Sequence, residues 1–200
     1  MPACANVETP RAWLWRPLFY LVFVGLCGGG PSLALASGFK VSSVQARLSG
    51  QTLSLNGTID LGLTPEVEEA INNGIPIELA IDVRLYRRRT FIWDQKLASW
   101  ALRRELRYHA LTGQYLISAG AGAPVLRESF VSLNDALIQM GSLADLTLTV
   151  GTPVLGDAGY HLDIRARLDI EALPTLLRPL AYTSRAWDLN SGWTTWETQR

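Results

Sequence analysis

Residues 75–97, IPIELAIDVRLYRRRTFIWDQKL, carry the strongest periodicity in the chain. Ile75, Ile77, Leu79, Ile81, Val83 and Leu85 fall on one side of an extended backbone, and Glu78, Asp82, Arg84 and Tyr86 on the other. A period of two with one apolar face predicts a long strand packed on a core. The three arginines Arg87, Arg88 and Arg89 then mark a reversal. If the chain turns about Arg89, Arg84 falls opposite Asp94, Asp82 opposite Lys96, Leu85 opposite Trp93 and Ile81 opposite Leu97. Opposite charges then match on one face and apolar groups on the other, the cross-strand arrangement that stabilises a sheet. This register puts Phe91 and Trp93 on the core side and leaves the arginines at a solvated hairpin tip. The alternative, an anion-recognising tip, requires aromatic rings free to stack beside the guanidiniums. Sequence-independent nucleic-acid binding needs a longer basic and aromatic groove, so no nucleic-acid partner is expected.

Outward from this segment, alternation dominates. Val44, Ala46 and Leu48, then Leu53, Leu55, Ile59 and Leu61 across Ser49-Gly50, predict a hairpin. Between it and the long strand, Thr64 caps a short helix with Pro65 at its first position. Acidic residues occupy the first turn, an apolar stripe runs through Val67, Ala70 and Ile71, and Gly74 stops it. Beyond the arginines the apolar phase moves to even numbers (Trp100, Leu102, Leu106, Tyr108), which predicts a bulge near Ala98 or Ser99. Strands follow at Tyr115–Ile117 and Val125–Val131, and a second helix starts at Ser132, with Leu133, Ala136, Leu137 and Met140 along one stripe. LTLTV (146–150) and the alternating run Tyr160–Ile170 supply two more strands. The fold class expected is α+β: a mainly antiparallel sheet or sandwich with two short helices. NNGIPIELAIDV and QMGSLADLTLTV are weakly alike, so an internal ββαβ duplication is possible.

The chain of 200 residues has a formal net charge of zero and a low charged fraction. Neither disorder nor a broad polyanion-binding surface is implied. Residues 1–36 read as an export signal. Arg11 and Arg16 precede the apolar run Leu18–Leu26, a Gly/Pro-containing break follows, and Ala34-Leu35-Ala36 forms a small-residue cleavage pattern. The run is shorter than the roughly 20 apolar residues that span a bilayer. Residues 37–200 then form one β-rich domain with a Trp-rich C-terminal tail, periplasmic after cleavage and membrane-tethered without it. Both cysteines, Cys4 and Cys27, lie in the signal, so the mature chain has no thiol chemistry.

Known catalytic signatures are missing. GAGAP (120–124) lacks the Lys-Ser/Thr of a phosphate loop, and there is no G-x-S-x-G, H-E-x-x-H or EF-hand pattern. His161 and Asp163 share a strand face and could offer two metal ligands, but the regular alternation of Arg165, Arg167 and Asp169 favours a solvated face. His109 lies between strands without a recognisable nucleophile or acid partner. No cofactor, metal or catalytic residue is therefore expected. In the tail, Pro174 and Pro179 interrupt regular pairing, and Trp187, Trp193 and Trp196 either fold over the sheet or serve as interfacial anchors.

The blocks TPEVEEAINNGIPIELAIDVRLYRR, FIWD, LRYHALTGQYLIS, SFVSLNDALIQMG and LRPLAYTSRAWDLNSGWTTW resemble, in this order, domain-of-unknown-function family 4390, small exported proteobacterial proteins. The resemblance implies an envelope protein of no established activity. The resemblance also implies that such genes frequently lie beside one for a membrane sensor kinase, an association that weakly favours a role as an interaction partner of a sensor or envelope complex. The function expected is a noncatalytic accessory or binding protein contacting an envelope protein or the membrane surface through Arg87, Arg88, Arg89, Trp187, Trp193 and Trp196. The alternatives are a carrier of an apolar ligand or lipid, with a pocket between sheet and helices, and a hydrolytic enzyme.

Overall fold

The computed structural model describes residues 38–89, 91, 93–119, 127–151 and 159–199. Residues 1–36, expected to be an export signal, and the GAGAP stretch 120–124 lie outside the described residues. Residues 36–200 form one compact unit with a single apolar core.

Among the described residues nine strands form one sheet: β1 (Gly38–Ser49), β2 (Thr52–Gly62), β3 (Ile77–Arg87), β4 (Gln95–His109), β5 (Gln114–Ala119), β6 (Arg127–Phe130), β7 (Leu146–Thr149), β8 (Tyr160–Leu168) and β9 (Thr194–Gln199). Their order is β6-β5-β4-β3-β8-β9-β1-β2-β7. All neighbours run antiparallel except β9 and β1, which are parallel at Ala46–Thr198 and Arg47–Gln199. The sheet curls round its core, as an α+β protein with a mainly antiparallel sheet would. Helix α1 (Pro65–Asn72) begins as predicted. The Thr64 hydroxyl accepts from Val67 N at 3.4 Å and donates to the Ala186 carbonyl at 2.8 Å, so one buried side chain caps the helix and ties it to the tail. Helix α2 (Leu133–Gly141) bridges β2 to β4, β5 and β6, burying Ala136 and Met140.

Helix α3 (Arg178–Thr183) was not anticipated: the two prolines argue against regular structure, yet Pro179 sits in the first turn, where its missing N–H costs nothing. Nor was β9. The C-terminal tail packs on the core through Leu173, Ala181 and Trp187, and its last strand enters the sheet, pairing with β8 from His161–Glu197 to Ile164–Thr194 and with β1 on its other side. It thereby joins the β7-β2-β1 and β6-β5-β4-β3-β8 groups. The element order β1β2α1β3β4 recurs as β5β6α2β7β8, but β3 pairs with β4 whereas β7 pairs with β2 and β8 with β3. The repeat in order is not a repeat in pairing.

The β3–β4 register corrects the expected one. Ile81 faces Leu102, Asp82 faces Ala101, Arg84 faces Ser99 and Leu85 faces Ala98. Pairing ends at Arg87–Gln95, so residues 88–94 form a connection longer than a tight turn. The bulge is real and lies at Leu97, where the partners step from Ala98 to Lys96. The slip arises because β3 has a second neighbour: Asp82 faces Arg165 and Arg84 faces Asp163 on β8, so charges expected to match across β4 match across β8 instead.

Helix α2 ends against β2 with little clearance. A Cβ on Gly141 would sit 2.0 Å from the Ile59 carbonyl oxygen, and Leu143 N donates to Gly57 O at 2.9 Å just beyond it. Gly113, in the β4–β5 turn, has φ +65 with open space around it. Gly141→Ala is expected to destabilise by about 3 kcal/mol because backbone must move. Gly113→Ala should lose only about 1 kcal/mol, from the left-handed conformation alone. Urea unfolding of the two variants checks the difference.

Candidate functional site

The sheet has a core face and an outer face, and the candidate residues divide between the outer face and the β3–β4 tip. Odd residues of β3 (Ile77, Leu79, Ile81, Val83, Leu85) are at most 2 % exposed, so the face assignment made from alternation holds. At the tip, Arg87, Arg88 and Arg89 are all exposed. Arg88 forms an ion pair with Glu197 of β9, and its N–H donates to Gly159 O at 2.8 Å. Arg89 N donates to Asp94 Oδ1 at 3.2 Å, and its guanidinium donates to Gln95 Oε1. Arg87 makes no ion pair with any described residue.

Phe91 and Trp93 are 95 % and 91 % exposed, which overturns their expected place on the core side. Strand pairing ends before the chain reaches them, and nothing carries their rings inward. The three arginines and two bare aromatic side chains therefore share one projecting connection. This is the composition that the alternative reading of the arginine run required.

The polar face of β8, expected to be solvated, is half-buried, its charges paired with neighbouring strands. Asp82 Oδ2 accepts from Arg165 at 2.7 Å and lies 3.6 Å from Arg167, which also reaches Asp169 at 3.6 Å. Arg103 of β4 pairs with Asp169 and approaches Glu78 at 3.7 Å. Between these arms Ala80 is fully buried, roofed by its register partners Arg103 and Arg167. Burial pushes the Glu78 carboxyl above its ordinary value, with Asp169 and Glu105 adding to the effect and Arg103 and Arg167 opposing it. His161 is 8 % exposed and stacks on Tyr86 with centroids 5.3 Å apart. Its Nε2 lies 3.8 Å from Asp94 Oδ2, at the base of the tip, and its Nδ1 is buried without a hydrogen bond. His109 is exposed at the end of β4 and contacts the Thr112 hydroxyl at 3.2 Å. No group of three or more His, Cys, Asp or Glu suited to a metal occurs among the described residues.

The three tail tryptophans separate. Trp187 is core at 5 % exposure, and Trp196 packs partly buried against the core. Trp193 lies on the outer face, with the Arg84 and Arg165 guanidinium carbons 4.0 and 4.6 Å from its ring centroid. The tip and the tryptophans thus do not form one surface, and the contact role expected of Trp187 has no exposed side chain behind it.

Arg104 escaped sequence reasoning. It sits at a core-face position of β4, buried, and its Nη1 donates to the carbonyls of Met140 at 2.8 Å and Ser142 at 2.6 Å, with Gln139 O at 3.3 Å. It thereby satisfies the orphan carbonyls at the end of α2 and binds that helix to the sheet. Burial pulls its guanidinium below the ordinary arginine value. An arginine interrupting the apolar series Trp100, Leu102, Leu106, Tyr108 was the available signal. The space between sheet and helices is filled by Leu53, Leu55, Ile59, Ile71 and Met140, each at most 2 % exposed, while an open cleft of about 470 Å³ lies among Glu105, Arg107, Leu116, Arg127 and neighbours. Neither favours an apolar-ligand carrier.

A family model described as a domain of unknown function, DUF4390, matches residues 36–197. The chain belongs to that family. The match runs from just before β1 into β9, so the tip, the ion pairs among β3, β4 and β8, and the part of β9 that pairs with β8 fall within the DUF4390 region. No curated protein and no solved structure matches the chain.

Two outcomes follow from the packing. Trp187→Ala should destabilise by about 4 kcal/mol, as loss of a core aromatic does, and Trp193→Ala by only about 1 kcal/mol, the loss of its guanidinium contacts. Thermal unfolding separates them. For Glu78, the folded state holds its proton to higher pH than the unfolded chain, so its contribution turns unfavourable as pH rises above 4.5. Glu78→Gln should therefore gain stability relative to wild type as pH rises from about 4 to 7, measured by urea unfolding across that series.

Proposed function

We propose that this DUF4390 protein is a noncatalytic accessory protein of the cell envelope that acts by presenting the β3–β4 tip to a partner. The observation that carries the reading is the near-complete exposure of Phe91 and Trp93 beside Arg87, Arg88 and Arg89. Isolated exposed apolar residues are ordinary, but two bulky aromatics within three residues, at the end of a ribbon fixed by long strands, form a contact element. The tip is held from below: Arg88 is anchored to Glu197, Asp94 receives the Arg89 N–H, and the Tyr86–His161 stack lies beneath. Its base is preorganised while its aromatic rings stay free. Export to the periplasm is supported by the Arg11/Arg16, Leu18–Leu26 and Ala34–Ala36 pattern. No helix among the described residues is long and apolar enough to cross a membrane.

Exchanging Arg87, Arg89, Phe91 and Trp93 together for alanine should leave the circular dichroism and unfolding midpoint of the 36–200 unit unchanged. Cosedimentation of that unit with isolated envelope membranes should fall at least about tenfold, the loss expected when a cluster of aromatic and arginine anchors is truncated. Unchanged cosedimentation would place the contact elsewhere.

A further inference from the structure

The chemistry of the tip points to one class of partner, and this inference rests on the tip being the contact element. Residues 86–96 hold four basic residues, Arg87, Arg88, Arg89 and Lys96, and a single carboxylate, Asp94, and among the described residues the one further carboxylate paired at the tip is Glu197. Positive charge is thus in excess. Arg87 is exposed and unpaired among the described residues, and Arg89 is satisfied by a neutral amide, so both keep their charge free to meet an anion. A tryptophan and a phenylalanine, each more than nine-tenths exposed, stand beside these cations. A protein groove would take up such rings from a shaped ridge. Here they project from a connection whose strand pairing has already ended at Arg87–Gln95.

Aromatic rings with guanidiniums flanking them match the layered chemistry of a bilayer surface. The rings sit at the headgroup and acyl boundary, and the cations meet lipid phosphates. The opposite pole of the molecule is unsuited to that surface: α1 carries the exposed acidic residues Glu66, Glu68 and Glu69 and lies at the far end of β3. The charge distribution along the strands therefore orients the domain, basic aromatic tip toward an anionic surface and acidic pole away from it. We infer that the β3–β4 tip is a membrane-interface anchor selective for anionic phospholipid, with Phe91 and Trp93 inserting and Arg87 and Arg89 contacting headgroup phosphates.

Flotation of the 36–200 unit, whose core is complete in itself, with vesicles of phosphatidylglycerol and phosphatidylethanolamine tests this, with phosphatidylcholine vesicles as the neutral surface. Binding should be at least about tenfold stronger to the anionic vesicles and should weaken with added salt, as screening requires. Reversing two cations in Arg87→Glu/Arg89→Glu should reduce it by about a thousandfold, since each basic residue near the surface is worth roughly 1 kcal/mol and reversal doubles the effect. The Arg87→Lys/Arg89→Lys variant should keep most of the binding, and Phe91→Ser/Trp93→Ser should lose about tenfold even with all charges intact. Wild-type protein that ignores anionic vesicles, or tip variants that float as well as wild type, would overturn the lipid assignment. If vesicles are ignored while tip-dependent crosslinks to an envelope protein form in cells, the contact reading stands and only the lipid partner falls. If both are independent of the tip, both readings fall.

Discussion

β3 is bonded on both edges, to β4 along one and β8 along the other, and most of the structure answers to that constraint. Its odd-numbered residues go to the core, but its even-numbered residues cannot simply face water, because long side chains from both neighbours close over them. Asp82 and Arg84 are thus committed to partners more than 80 residues away in sequence: Asp82 to Arg165 and Arg167, and Arg84 to the ring of Trp193. Ion pairs this shielded are weak sources of net stability, since desolvation offsets much of the attraction, but a wrong register would leave each charge half-buried and alone. The ladder therefore serves mainly to make one pairing of β3 with β8 far better than its neighbours in register.

The same constraint explains why the C-terminal tail matters to a sheet begun at Gly38. β8 has β3 on one side and would otherwise present a bare edge on the other. β9 covers that edge and offers its far side to β1, so the last strand in the chain closes the gap between the first hairpin and the central group. Many of these contacts join distant parts of the sequence, which places their formation late and makes the order of assembly dependent on the complete chain. Arg104 performs a comparable service on the inner side, fixing the end of α2 to β4 where no apolar side chain could satisfy the carbonyls of Met140 and Ser142.

What could be read in advance follows from how local each cause is. The strand character of 77–85 and the face it buries, the Thr64-Pro65 helix start and the phase shift next to Ala98 are all decided within a few residues, and each was legible. The β3–β4 register was not, because opposite charges at 82, 84, 94 and 96 supply a self-consistent hairpin whenever β8 is left out of account. Phe91 and Trp93 were assigned inward by extending that hairpin too far. Of the candidate contact residues, the arginines emerge exposed as expected, whereas Trp187 turns out to be core, since a tryptophan in a proline-broken tail gives no local sign of which side it will take. The polar parity of β8 looked like a water-facing row for a similar reason: alternation reports that a face is polar, not whether another strand's side chains cover it.

The tip stands apart from all of these requirements. Strand pairing is complete at Arg87–Gln95, the core is complete without Phe91 or Trp93, and a connection of seven residues between these strands could be made from glycine, asparagine and serine with no loss of packing. Exposed phenylalanine and tryptophan in such a connection raise the risk of self-association and return nothing to the folded state. Asp82 has two guanidiniums to explain it, Arg104 its carbonyls and Trp193 two cations. Among the described residues the aromatic pair at 91 and 93 has no such partner, and nothing in the packing of the core requires its composition.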